Sequence, residues 1–301
     1  MMKYLTFLLL FPAVTGVAQP NDSGLLREKM ASQIRRIADG MRGVAGILVV
    51  DITTGERFAL NPSMQFPQGS AIKIPILMEV FRQAHEGRFS MNDLRQVERR
   101  FQVGGSGIMG EFLPHSSQLS IYDLCVLMIV LSDNSATNLL IDLVGMERVN
   151  ATLLSLGCNA TRLQRVMMDT QASASNRENL STPEDAARIM MALYQGTFVS
   201  RTVSDSILDV LRKPKPGHIV AALPPGVPVA FKPGDIDGVD TEWAMVFLSG
   251  RPYIVIVMEK FGLGGEAHEA FRGIGVAAYD YFWRLARSSR YGTYVTPDSS
   301  H

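Results

Sequence analysis

The chain has 301 residues, with 29 basic and 29 acidic side chains and 47% hydrophobic residues. That length holds one large domain or two interleaved ones. A net charge of zero argues against a nucleic-acid partner or an acidic membrane surface. The histidines at 85, 115, 218, 268 and 301 have no metal-ligand spacing, so no metal or other cofactor is expected.

The chain opens Met1-Met2-Lys3, followed by an apolar run from Tyr4 to Val14 and the small-residue triplet Gly16-Val17-Ala18. This reads as a secretory signal peptide cleaved after Ala18, giving a periplasmic or secreted protein. The run is too short to span a bilayer, no later stretch is long and apolar enough, and no cysteine lies near the leader, so no stable membrane anchor is expected.

Residues 21–40 carry a helical face in Leu26, Met30, Ile34 and Ile37, stopped by Gly40. Val44–Asp51 is a strand, and the turn Thr53-Thr54-Gly55 returns Glu56–Leu60 as its hairpin partner. From Ser70 to about Lys213 the signals are mostly helical. Ser120 and Asp123 cap a helix that is apolar nearly all round, which predicts burial at a domain centre. Helices follow at 134–144 and 146–156, each stopped by a glycine, and Thr182-Pro183 starts another. Strands resume at Val227, with Met245–Leu248 and Tyr253–Met258 further on, and a helix closes the chain over 265–288. This order predicts an α/β (α+β) fold. An antiparallel sheet flanked by the terminal helices, from residues 19–66 and 214–290, would carry an inserted all-helical domain at 67–213 and a loose tail at 291–301.

Three short motifs carry the chemistry: Ser70-Ala71-Ile72-Lys73, Ser132-Asp133-Asn134 and Lys232-Pro233-Gly234. Ser-x-x-Lys and Lys-x-Gly each arise about once by composition in a chain this long, as a helix start and a turn. Ser-Asp-Asn alone would read as a helix cap. Their order, with gaps of 62 and 100 residues, sets the combination apart. Lys73 lies one helical turn from Ser70, so the two side chains share a face. A desolvated amine there could take the serine proton, with Lys232 as a second cation to hold it neutral. The Gly105–Gly110 run lacks the helix a nucleotide loop needs and reads as a cleft-edge loop, and no Gly-x-Ser-x-Gly elbow is present.

The motifs and the Phe66-Pro67-Gln68-Gly69 lead-in resemble the penicillin-recognising serine enzymes, above all class A β-lactamases. The resemblance covers essentially the whole chain after the leader and implies the β-lactamase/DD-peptidase-like fold. It implies Ser70 as nucleophile, Lys73 as base and Ser132 as proton relay. Asn134 and Lys232 would bind substrate, beside Gly234, and the Asp235 N–H would be the second oxyanion donor. It also implies a β-lactam or peptidoglycan-type substrate and a monomer. Many class A relatives bridge the Cys125 position to that of Leu77; with Cys158 elsewhere, two buried free thiols are expected here.

Two departures stand out. Aligning Arg162-Leu163-Gln164-Arg165 with the family puts Met167 where the deacylating glutamate belongs and Gln171 where its asparagine belongs. Asp169 is the nearest carboxylate to replace that base and Glu178 the next, although both have local readings, as a loop turn and a helix-start charge. Pro233 replaces the hydroxyl residue after the third-motif lysine. The Met-Met-Asp and Glu-Asn-Leu-Ser-Thr-Pro wording resembles a divergent branch of these hydrolases. Three functions fit: an exported β-lactamase acting through acyl-Ser70, a D-Ala-D-Ala peptidase or esterase, and a penicillin-binding sensor that does not turn over.

Overall fold

A computed structural model describes residues 22–263, 265–289 and 291–295. The expected leader and the end of the tail lie outside them. In chain order the elements are α1 (Asp22–Asp39), β1 (Val44–Asp51), β2 (Arg57–Leu60), β3 (Phe66–Pro67), α2 (Lys73–His85), β4 (Leu94–Gln96), β5 (Gln118–Ser120), α3 (Ile121–Val130), α4 (Asn134–Val144) and α5 (Met146–Ser155). There follow α6 (Thr170–Ala174), β6 (Leu180–Ser181), α7 (Pro183–Gln195), α8 (Arg201–Arg212), β7 (Val229–Ile236), β8 (Val239–Val246), β9 (Tyr253–Lys260) and α9 (Ala267–Arg287).

Five strands form an antiparallel sheet in the order β2-β1-β9-β8-β7, so chain ends far apart in sequence meet where β1 pairs with β9. Both faces are covered. Ile47, Val49, Val255, Val257 and Phe231 pack with α1 and α9, while Leu48, Ile254, Ile256, Trp243 and Met245 pack into the helical layer. A sheet buried on both faces needs apolar residues at every position rather than at alternate ones. That is why β1 and β9 are continuous apolar runs in the sequence.

The structure differs from the sequence reading in four places. Strand β8 starts at Val239, six residues before the expected start at Met245, because Asp240 and Glu242 sit within it and hide its strand character. Helix α3 buries one side through Ile121, Leu124, Cys125, Met128 and Ile129 but leaves Tyr122 and the following Leu131 at the surface, so it is not enclosed all round. Ser70 lies in a tight 3-10 turn, Gly69–Ile72, and the α-helix proper begins at Lys73. The tail bends back far enough for Tyr294 to bridge Ser288. Cys125 and Cys158 are buried free thiols.

Helix α2 is the axis of the helical layer, with every residue from Lys73 to Phe81 buried. Its buried Glu79 takes hydrogen bonds from Arg82, Gln83 and Thr152, which ties α2 to α5. Burial opposes the charge on Glu79, but these donors outweigh it and hold the carboxyl below its usual range. The anchor fixes the helix whose first residue is Lys73.

Candidate active site

The cleft lies between the outer edge of β7, the turn before α2, and the α3–α4 junction. Gly69 and Gly234 set its floor. Gly69 has φ +49°, and a methyl group there would lie 2.9 Å from the Asp235 nitrogen. One at Gly234 would lie 2.6 Å from the Ser70 nitrogen. Only two glycines permit this approach, which sets the Ser70 and Asp235 backbone nitrogens beside each other. The Thr241 hydroxyl donates toward Gln68 O and Gly234 O at 3.0 and 3.1 Å. Fully buried Trp243 donates to the Gln68 side chain at 3.0 Å. The turn is thereby pinned to the sheet.

The structure brings all three motifs together. Lys73 Nζ is 3.0 Å from Ser70 Oγ, 2.9 Å from Asn134 Oδ1, 2.7 Å from Ser132 O and 3.2 Å from Ser132 Oγ. Lys232 Nζ lies 3.1 Å from the same Ser132 hydroxyl and 2.8 Å from Pro233 O. Ser132 therefore bridges two amines. It does so from φ +54°, a left-handed conformation that a non-glycine residue adopts only under constraint. The constraint is Asp133, whose carboxylate accepts from Ile108 N and Met109 N at 2.7 Å and caps α4 through Ala136 N at 2.8 Å. The 105–110 loop is thus tied to the second motif, and Gly105 and Ser106 border the cleft.

Lys73 is fully buried, and that burial is the main cause of an amine pKa well below the usual lysine range. The Lys232 ammonium lowers it further, while Asp133 and Asp235 oppose both. Lys232, also buried, is lowered to about 8 by burial, against the raising effect of Asp235 and Glu242. Four oxygens surround Lys73 Nζ. A neutral amine donates two hydrogen bonds and accepts one, which suits proton transfer from Ser70.

The loop of residues 162–180 closes the other side of a cavity of about 410 Å³. Met167 borders this cavity, and the Asn138 side chain holds its backbone N and O at 2.8 and 3.1 Å. Asp169 also borders the cavity, but its Oδ1 caps the short α6 by accepting from Ala172 N at 2.9 Å. Glu178 is turned into the loop, paired with Arg165 Nη2 at 2.9 Å and bonded by Ser173, rather than marking a helix start. Asn138 and Thr241 escaped sequence reasoning, and Gln68 entered it only within the lead-in before Ser70. Asn138 left a trace, one helical turn after Asn134. Among the described residues no group of acidic, histidine or cysteine side chains is arranged to hold a metal.

The model of the beta-lactamase enzyme family matches residues 29–282. The chain is 22% identical to beta-lactamase SME-1 of Serratia marcescens over 262 residues, 85% of this chain and 88% of that one. Among solved structures, a beta-lactamase from Sphaerobacter thermophilus superposes with TM-score 0.79 at 29% identity, covering 84% of this chain and 96% of that one. PBP-A gives TM-score 0.79 at 26% identity, covering 85% and 97%. A PBP-A mutant solved as an acyl-enzyme complex with penicillin G superposes equally well, with TM-score 0.79, 26% identity and coverage of 86% and 97%. The chain belongs to the beta-lactamase enzyme family.

Proposed function

We propose that this protein is an exported serine hydrolase that opens β-lactam amides through an acyl-Ser70 intermediate, which it releases slowly. The observation that carries the reading is the buried Lys73 amine 3.0 Å from Ser70 Oγ. Neutral Lys73 takes the hydroxyl proton as Ser70 Oγ attacks the lactam carbonyl. The N–H groups of Ser70 and Asp235 stabilise the oxyanion, an effect typically worth about 3 kcal/mol per donor. As the C–N bond breaks, the leaving nitrogen takes the Ser132 proton and Ser132 is reprotonated from Lys73, so in net terms one proton passes from Ser70 to the nitrogen and both relay groups are restored. Asn134 orients the acyl amide and Lys232 receives the substrate carboxylate.

Slow release follows from Met167, a thioether where class A enzymes hold the deacylating glutamate. The same feature supports a second reading, a peptidase or esterase on cell-wall peptides or small esters, and the likeness to a PBP-A mutant solved as a penicillin G acyl-enzyme fits an acyl-enzyme step at this site. Incubation with a chromogenic cephalosporin, with intact mass taken at intervals, separates these readings. The expected result is one stoichiometric burst of colour and a long-lived mass adduct. Fast continuous colour would contradict slow release, and neither colour nor adduct would leave the peptidase or esterase reading.

A further inference from the structure

The substrate's position is fixed at two points if the reading above holds. Its carbonyl sits against the Ser70 and Asp235 N–H groups, and its leaving group must face Ser132, the proton donor. The acyl portion then fills the rest of the cavity, between Met167–Asp169 on the loop side and Asp235–Asp237 at the end of β7. Strand β7 is the edge of the sheet, so among the described residues no further strand pairs with the Asp235–Asp237 end that borders the cavity.

The charge of this half of the cavity is one-sided. Asp235 and Asp237 line it, both are exposed, and neither makes a side-chain hydrogen bond or ion pair among the described residues. Arg165, the one basic residue lining the cavity among the described residues, is committed to Glu178 through Nε at 3.0 Å and Nη2 at 2.9 Å. The Lys73 and Lys232 amines are buried and donate to Ser132, on the leaving-group side. Two free carboxylates thus flank Ile236 where the acyl portion must lie.

Resting on the function proposed above, we infer that Asp235 and Asp237 select acyl donors that carry a cationic amine on the acyl side, and disfavour those with an anion there. The substrate class is an amino-acylated amide or β-lactam with a free ammonium close to the reacting carbonyl.

Three penicillins with the same ring and phenylacetyl side chain test this, bearing ammonium, hydrogen or carboxylate on the side-chain α-carbon. The readout is the ratio of their second-order rates of Ser70 acylation, taken by quenched intact mass. A ratio is insensitive to a general loss of activity in a variant. The expected order is ammonium, hydrogen, carboxylate, each step about 3- to 10-fold, shrinking in high salt as exposed charges are screened. In the Asp235→Asn/Asp237→Asn double variant the three rates should fall within about twofold of one another. Equal rates in the parent protein, a preference for the carboxylate, or a preference unchanged in the double variant would overturn the proposal while leaving acyl-Ser70 chemistry standing. If none of the three acylates Ser70, the proposed function itself fails and this selectivity fails with it.

Discussion

Replacing Lys73 by methionine is expected to slow acylation of Ser70 by about 100- to 10,000-fold, the usual contribution of a positioned proton acceptor. Methionine has nearly the length of lysine and suits a fully buried position. Its cost is two buried acceptors, Ser132 O and Asn134 Oδ1, left without the amine, about 1–3 kcal/mol each. Relief of the desolvated amine offsets part of this. Lys73 in the folded protein binds its proton more weakly than in the unfolded chain. The folded state therefore gains relative stability from this group as pH rises toward about 10.4, and the variant loses that slope. The parent's acylation rate should climb with pH as Lys73 becomes neutral and fall again near pH 8 as Lys232 loses its charge. The variant should keep only the falling limb, which stopped-flow acylation across pH would register. Parent-like acylation in Lys73→Met would place the base elsewhere.

Turnover should respond as strongly to the loop. Met167→Glu puts a carboxylate at the cavity wall on a backbone that Asn138 holds at both N and O. Release of the acyl group should accelerate by about 100-fold, the low side of general-base catalysis. Acylation should change less, because Ser70, Lys73, Ser132 and Lys232 are untouched. Asp169→Asn is the companion experiment, since asparagine still caps α6 and a structural effect is minimised. Slower release in that variant would assign the water-activating role to Asp169. Rapid parent turnover untouched by Asp169→Asn would refute slow release, and Lys73 itself would then have to activate the water.

Much of the architecture was readable because it rests on local rules. The Ser120 cap, the Thr182-Pro183 start and the apolar runs of β1 and β9 each mark an element without reference to distant residues. The start of β8 was hidden because its polar residues have distant partners: Glu242 accepts from the backbone of His218 and Ile219, and Asp240 faces His268. Burial pushes Glu242 up to about 7, an environment that no local sequence pattern reports. At the site, motif order pointed to Ser70, Lys73, Ser132, Asn134 and Lys232. The ties that position them, Thr241 and Trp243 onto Gln68, span more than 170 residues and leave no local pattern. Sequence ranked Asp169 ahead of Glu178 by nearness alone; the loop path places Asp169 at the cavity and folds Glu178 against Arg165.

The central claim is that Ser70 is the acylated nucleophile. Its most direct measurement is the intact mass of the protein after exposure to benzylpenicillin, followed by peptide mapping of the adduct, in the parent and in Ser70→Ala. The account predicts one adduct per chain, carried on the peptide that contains Ser70, and no adduct in Ser70→Ala. An adduct of equal yield in Ser70→Ala, mapped to another serine, would contradict it.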